Sequence, residues 1–295
     1  MSIELLLLTP VLVLLIFVVF GFTGCGSFGS DPSKPGGKYA DIVRNMSVAH
    51  WAMNETTGTT ALVHPPSLNL NAEYKPGATP GSPGALAQKE PNANFAPALD
   101  GTSGYIEAPF SPLLNLASDK RFSVEVWVKP AAPISAGEEQ IVISSHHTAP
   151  GGNQRGYEIA LAGTGAAHAT VRGRVFSTNA PAVSTVDVTP PQGDPLAWRH
   201  VVMTYDGSGG SVGKKLRVYV SVVGVAGTVS GETPPTAQAL YSPVEAGPGA
   251  RPLRFGAGHL QAGGAEKFFA GLIDEVAFYN QLLGQTDISD HFQKV

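Results

Sequence analysis

The stretch Phe269 to Asn280, reading FAGLIDEVAFYN, constrains the fold most because it has a counterpart in WRHVVMTYDG at Trp198 to Gly207. Leu272, Asp274, Val276 and Phe278 alternate against Ile273, Glu275, Ala277 and Tyr279, a period near two with both faces largely apolar. That pattern predicts a strand covered on both sides, as inside a sandwich. Phe122 to Lys129 alternates as cleanly. Phe122, Val124, Val126 and Val128 fall on one side, and Ser123, Glu125, Trp127 and Lys129 on the other.

Seven further segments read as strands: Tyr105 to Ala108, Gln140 to Ser145, Tyr157 to Ala162, Ala169 to Ser177, Trp198 to Tyr205, Leu216 to Val223 and Leu253 to Gly256. With no helical pattern between them, they predict an all-β, two-sheet antiparallel sandwich. Gly (35) and Pro (24) supply about a fifth of the 295 residues, which suits many short strands joined by turns. Pro65 to Pro97 and Gly224 to Arg251 read as long surface loops, and Gly284 to Phe292 as a short closing helix. A net charge of −4, with both signs scattered, argues against a nucleic-acid partner, which needs a basic face.

Leu5 to Phe22 is an apolar run of 18 residues broken by Thr9, Pro10 and Gly21. As a helix it would be about 27 Å long, close to a bilayer core of about 30 Å. Three readings stay open: a retained transmembrane helix, a lipoprotein signal ending at the single cysteine, Cys25, and a cleaved secretory signal. No Lys or Arg precedes Lys34, which weighs against the two cleaved readings. Phe22-Thr23-Gly24-Cys25 resembles a bacterial lipobox, with Phe22 where an aliphatic residue is usual, so Cys25 is the lipidation candidate. The domain plan is therefore an anchor or signal at residues 1–25, a flexible linker at 26–46, whose end at Tyr39 to Met46 reads as a short helical or extended lead-in, and a folded domain at 47–295. All three readings predict export, with the domain on the periplasmic or extracellular side of a cell membrane.

Six motifs in order resemble the laminin-G-like branch of the concanavalin A-like jelly rolls. They are Trp51, Glu55, Gly58 and Thr59; Leu99, Asp100, Gly101, Tyr105, Ile106, Glu107 and Pro109; Phe122 to Pro130; Trp198 to Val201; Phe269 to Val276; and Leu282, Leu283, Ile288 and His291. The resemblance covers about Ser47 to Val295 and implies a jelly-roll sandwich. It also implies a structural calcium ion, with Glu55, Asp100 and Asp274 as ligand candidates, since calcium takes hard oxygen ligands. The alternative is that Asp100 makes a turn before Gly101 and Asp274 bonds backbone in the last strand. Where the family places an Asp-bearing turn after Thr60, this chain has Val63-His64-Pro65-Pro66.

Signals for catalysis are missing from the sequence. Retaining glycosidases need two carboxylates about 5 Å apart, which E-x-D-x-E on one strand supplies and this chain lacks. Asp274 and Glu275 are adjacent and expected on opposite faces, and Glu138-Glu139 are expected in a loop. His146-His147 read as solvated, and no H-E-x-x-H occurs. Trp51, Trp127 and Trp198 read as core, leaving Tyr241 and Phe110 as loop aromatics for a sugar platform. The favoured expectation is a non-catalytic, membrane-anchored accessory or scaffolding subunit of a larger membrane complex, of the kind that respiratory and photosynthetic complexes acquire, with nothing in the sequence selecting one. The alternative is a cell-surface glycan-binding or adhesion module.

Overall fold

A computed structural model describes residues 38–148, 152–209, 213–234, 239–247, 250–260 and 263–295. The alternating segments pair into two nine-stranded antiparallel sheets. Sheet I runs in the order Thr228–Glu232, Lys215–Val222, Arg199–Asp206, Arg121–Pro130, Ala270–Tyr279, Ala49–Trp51 and Val63–His64. Phe95–Asp100 also pairs with Ala270–Tyr279, and Ala78–Pro83 pairs with Phe95–Asp100. Sheet II runs Val183–Val188, Thr170–Phe176, Gln154–Ala162, Glu139–Ser144, Leu253–Phe255, Ile106–Ala108, Ala72–Tyr74 and Thr60–Ala61, with His147–Thr148 added beside Gln154–Ala162.

All nine expected strands are present, and the two-sheet antiparallel sandwich fits the jelly-roll fold. Phe122, Val124, Val126 and Val128 enter the inter-sheet core with Val201, Met203, Tyr205, Ile159, Leu161 and Val171. The ring of Phe122 meets Tyr157, Tyr205 and Tyr241, each at 5.3 Å between centroids. Trp51 is fully buried and donates its indole N–H to the Leu70 carbonyl at 2.9 Å. Tyr241, expected as a loop aromatic, is 3% exposed and belongs to this core.

The outer face of sheet I is covered as well. α1 (Tyr39–Met46) and α2 (Gln285–Phe292) lie over it and meet each other. α1 buries Tyr39, Ile42 and Val43, a spacing that makes one stripe of an amphipathic helix. This corrects the linker expected at 26–46: its described end is a helix built into the body, because these apolar residues close over Trp127 and Tyr279. Residues 26–37, the apolar run Leu5 to Phe22 and Cys25 lie outside the described residues. Among the described residues, no helix is long and apolar enough to cross a membrane.

Two expected loops contain strands. The 65–97 region holds Ala72–Tyr74 and Ala78–Pro83, and after Val222 the chain turns into Thr228–Glu232. The strand from Lys215 therefore ends in a hairpin, with Gly224 and Gly227 at positive φ (84° and 89°), which glycine adopts readily. Asp274 and Glu275 do not separate onto opposite faces. A bulge between Asp274 and Ala277 puts Glu275 at φ 51°. Both carboxylates then meet the 84–94 segment: Asp274 accepts from the Ala85 N–H at 2.9 Å, and Glu275 accepts from Asn94 at 3.2 Å.

Candidate functional site

Two polar constellations stand out, one on each outer face. Beneath the helices of sheet I, Glu125 is completely buried and its carboxylate is the hub for four other side chains. It accepts from His200 Nε2 at 2.6 Å, His291 Nδ1 at 3.0 Å, Tyr39 hydroxyl at 2.9 Å and Tyr279 hydroxyl. Trp127, His200 and Phe292 stack mutually, Trp127 lying 4.7 Å from His200 and 5.9 Å from Phe292 and the last two 6.3 Å apart. Burial is the largest influence on Glu125 and would raise its pKa, but the histidines outweigh it and hold the carboxyl well below its usual range. His291 is raised in return: burial opposes the shift and the Glu125 carboxylate prevails.

Glu125, His200 and His291 place ligand-type atoms within 4.8 Å of one another, the one such trio among the described residues. The set does not fit a metal ion. Four donors already surround the carboxylate, and His200 Nδ1 and His291 Nε2 have no partner among the described residues. A ligating imidazole normally hands its second nitrogen to an oxygen. The arrangement instead fastens both terminal helices to sheet I. Glu125 contributes stability above its ordinary value of 4.5 that is lost as pH falls through its depressed value. His291 contributes stability below 6.5 that is lost as pH rises through its elevated value. The melting-temperature gap between the native chain and His291→Gln is therefore expected to peak between pH 4.5 and 6.5; a gap that does not change with pH would contradict this.

The calcium candidates are placed apart from any such cluster. Asp100 Oδ1 accepts from the N–H groups of Thr102, Ser103 and Gly104, each at 2.8 Å, and Oδ2 accepts from the Ser103 hydroxyl. These bonds hold its carboxyl far below the usual range. Glu55 accepts from the Leu62 N–H at 2.9 Å and the Tyr74 hydroxyl at 2.7 Å. Asp274 is buried, and desolvation followed by the neighbouring Glu275 charge pushes its carboxyl up. Among the described residues these three carboxylates do not come together in one cluster, and those of Asp100 and Glu55 accept from the chain's own donors.

The second constellation lies on the outer face of sheet II, where the register sets side chains in rows. Glu73, Glu107, Arg254, Ser144, Glu158, Arg174 and Thr185 are successive cross-strand partners. The neighbouring row pairs Asp187 with Arg172, and Glu139 stands opposite Ala162. Arg172 donates to both oxygens of Asp187 at 2.7 Å and to Glu139 at 3.1 Å. Arg174 joins Glu139, at 2.5 and 3.0 Å, to Glu158, at 2.8 Å, and Lys267 reaches Glu139 at 2.9 Å. Burial would raise the Glu139 carboxyl, but hydrogen bonds from Arg174 and Lys267 hold it down at about 2. Burial raises Glu158, partly offset by Arg174.

A groove of about 690 Å³ opens beside this network, within the range of about 300–1,000 Å³ usual for small-ligand sites. Glu139, Ala162 and Arg172 line it, together with Glu138, Gln140, Thr164 and Phe268. A hollow of about 240 Å³, lined by His146, Glu158, Arg174, Phe176 and Glu266, shares Lys267 with it. One rim is a pair of loops joined by Gly137 N–H to Gly163 carbonyl at 3.0 Å and Gly163 N–H to Glu138 carbonyl at 2.9 Å. A Cβ on Gly163 would fall 1.9 Å from the Ser135 carbonyl oxygen, so only glycine allows the loops to meet. The opposite wall is the excursion carrying the Gly258–His259 and Ala265–Glu266 ladder.

Arg254 holds that wall. Its guanidinium donates to Glu107 at 2.9 Å and to the carbonyls of Gly258, Gly264 and Gly263 at 3.0, 2.8 and 3.2 Å. It also lies 5.0 Å from the centre of the Tyr105 ring, and Tyr105 packs against Phe268 at 6.1 Å. Several expectations are revised here. Glu139 begins a strand and does not sit in a loop; His147 is buried in a strand; and His146 stacks on Phe176 at 3.7 Å. The alternation of Arg172 and Arg174 about Gly173 was the sequence signal for a charged outer face.

A family model of laminin-G type, described as the concanavalin A-like lectin/glucanases superfamily, matches residues 100–289. Among solved structures, the binding domain of Paraclostridial Mosquitocidal Protein 1 is similar with a TM-score of 0.52 at 13% identity, over 85% of this chain and 52% of that one. The botulinum neurotoxin serotype D binding domain gives 0.53 at 11% identity, over 85% and 53%. A botulinum neurotoxin type C structure, described by cell entry dependent on two ganglioside molecules, gives 0.50 at 10%, over 85% and 51%. This chain spans about half the length of those chains, and at these identities the likeness shows the fold alone. No curated protein matches the sequence.

Proposed function

Because the chain belongs to the concanavalin A-like lectin/glucanases superfamily, with residues 100–289 matching its laminin-G-type model, we propose that it is a non-catalytic glycan-binding module. The observation that carries this reading is the groove on the outer face of sheet II, whose side chains are held in place before any ligand arrives. Arg172, Arg174, Lys267 and Glu139 form one bonded network, so a ligand meets polar groups that need no reordering. Phe268 adds an apolar surface suited to the C–H face of a sugar ring.

Binding is favoured over hydrolysis by the state of the carboxylates. Glu139 is engaged by three cations, and Glu158 shares the Arg174 guanidinium with it. A glycosidase needs one carboxylate free to attack or to activate water and a second free to give a proton. The similar toxin domains, described as binding domains, add support by analogy of fold alone.

The groove and the first described residues lie on opposite sides of the sandwich, since α1 covers sheet I. In an extracytoplasmic protein tethered through the apolar run Leu5 to Phe22, the groove would lie on the face away from the helix through which the tether enters. The accessory-subunit reading rests on that N-terminal segment, outside the described residues; the groove favours the binding module.

The full-length chain in mild detergent, screened against a glycan array, is expected to show saturable binding. Phe268→Ala is expected to weaken it at least about tenfold, the loss of about 1.4 kcal/mol, while leaving the melting temperature close to native. Glycan binding unaffected by Phe268→Ala would remove the groove from the account.

A further inference from the structure

The cations and carboxylates of the groove are unequally engaged. Arg172, Arg174 and Lys267 are all committed to Glu139, Glu158 and Asp187, three positive charges against three negative ones. Glu138 lines the larger hollow and Glu266 the smaller, and neither carboxylate has an ion pair among the described residues. Each hollow therefore combines an unpaired carboxylate with a ring: Glu138 with Phe268 in one, Glu266 with His146 on Phe176 in the other. The two meet at Lys267, whose backbone sits at φ 50°, an uncommon conformation for a residue with a side chain.

We infer that the ligand is an uncharged, hydroxyl-rich oligosaccharide long enough to occupy both hollows, and that sulfated, uronate and sialylated glycans are rejected. This rests on the glycan-binding reading above and narrows it. Sugar hydroxyls are donors, and a carboxylate accepts from them in charge-assisted bonds, stronger than neutral ones. An anionic ligand would meet Glu138 and Glu266 without an uncommitted cation to answer it, and would have to draw Lys267 or an arginine from the carboxylates that hold them. The net charge of −4 on the whole chain adds no compensating attraction. Repetition of one ring and one carboxylate in adjoining hollows suits a polymer of similar units better than a single sugar.

The test is calorimetric titration of the full-length chain with neutral tetrasaccharides of glucose, mannose, galactose and N-acetylglucosamine. Tetragalacturonate, a heparin tetrasaccharide and a sialylated tetrasaccharide are run alongside. The expected result is a neutral ligand bound at least about tenfold more tightly than any anionic one, with affinity steady from about 0.05 to 0.5 M salt because no counter-charge is screened. Its monosaccharide should bind far more weakly, and Glu138→Gln and Glu266→Gln should each weaken the tetrasaccharide by about three- to tenfold, one charge-assisted bond apiece. Anionic glycans binding as tightly as neutral ones, or glutamine variants that bind like the native chain, would overturn this inference and leave glycan binding standing. Failure of both ligand classes would overturn the glycan-binding reading itself.

Discussion

Glu125→Ala is expected to lower stability by about 3–5 kcal/mol, the penalty typical of removing one partner from a buried charged cluster. The variant leaves the hydroxyls of Tyr39 and Tyr279 and the rings of His200 and His291 without the acceptor they share in the native chain. Each of those groups is almost completely buried, so none can turn to bulk water for a new partner. Both helices depend on this one side chain, α1 through Tyr39 and α2 through His291. Denaturant unfolding should therefore show early exposure of Trp127, which stacks under Phe292. Glu125→Gln keeps the shape and one acceptor and should cost less. Equal stability of the alanine variant and the native chain would mean that the hub does not hold the helices.

Arg254→Ala is expected to be comparably damaging and to remove ligand binding with it. One guanidinium serves Glu107 and the three carbonyls of Gly258, Gly263 and Gly264, and it is 5% exposed. Its loss leaves Glu107 with Lys75 alone, at 3.6 Å, strips three carbonyls of their donor and frees the groove wall that carries Glu266, Lys267 and Phe268, at a cost of about 3–5 kcal/mol. Arg254→Lys should not rescue binding, because an ammonium cannot reproduce the planar fork that reaches four oxygens at once. Arg254 is a positioning residue, so affinity should fall in the lysine variant even where most of the melting temperature is regained. A lysine variant that binds like the native chain would contradict this role.

The inter-sheet core was legible because alternation carries it: Phe122, Val124, Val126 and Val128 point inward as the period of two demands. The outer face of the same strand was not. Glu125 looks solvent-facing in any period-two reading, and what buries it is a pair of eight-residue helices whose contacts, Tyr39 and His291, lie 86 and 166 positions away on either side. Tyr39–Met46 reads as a short helical or extended lead-in, but nothing local ties it to the body, since the residues it packs on, Trp127 and Tyr279, lie far along the chain. The bulge at Glu275 escaped for a different reason: a glutamate at φ 51° breaks the alternation without a glycine to announce it. The groove joins Glu139, Arg172 and Lys267, up to 128 residues apart, through strand register, which a single sequence does not encode in any motif.

Hydrogen exchange of the full-length chain with and without the tightest-binding neutral glycan tests the central claim most directly. The account predicts slowed exchange in the amides of Glu138, Glu139, Gln140, Thr164, Lys267 and Phe268, with α1 and α2 unchanged. Protection confined to the helix-covered face of sheet I, or absent from the groove while the glycan is bound, would contradict it.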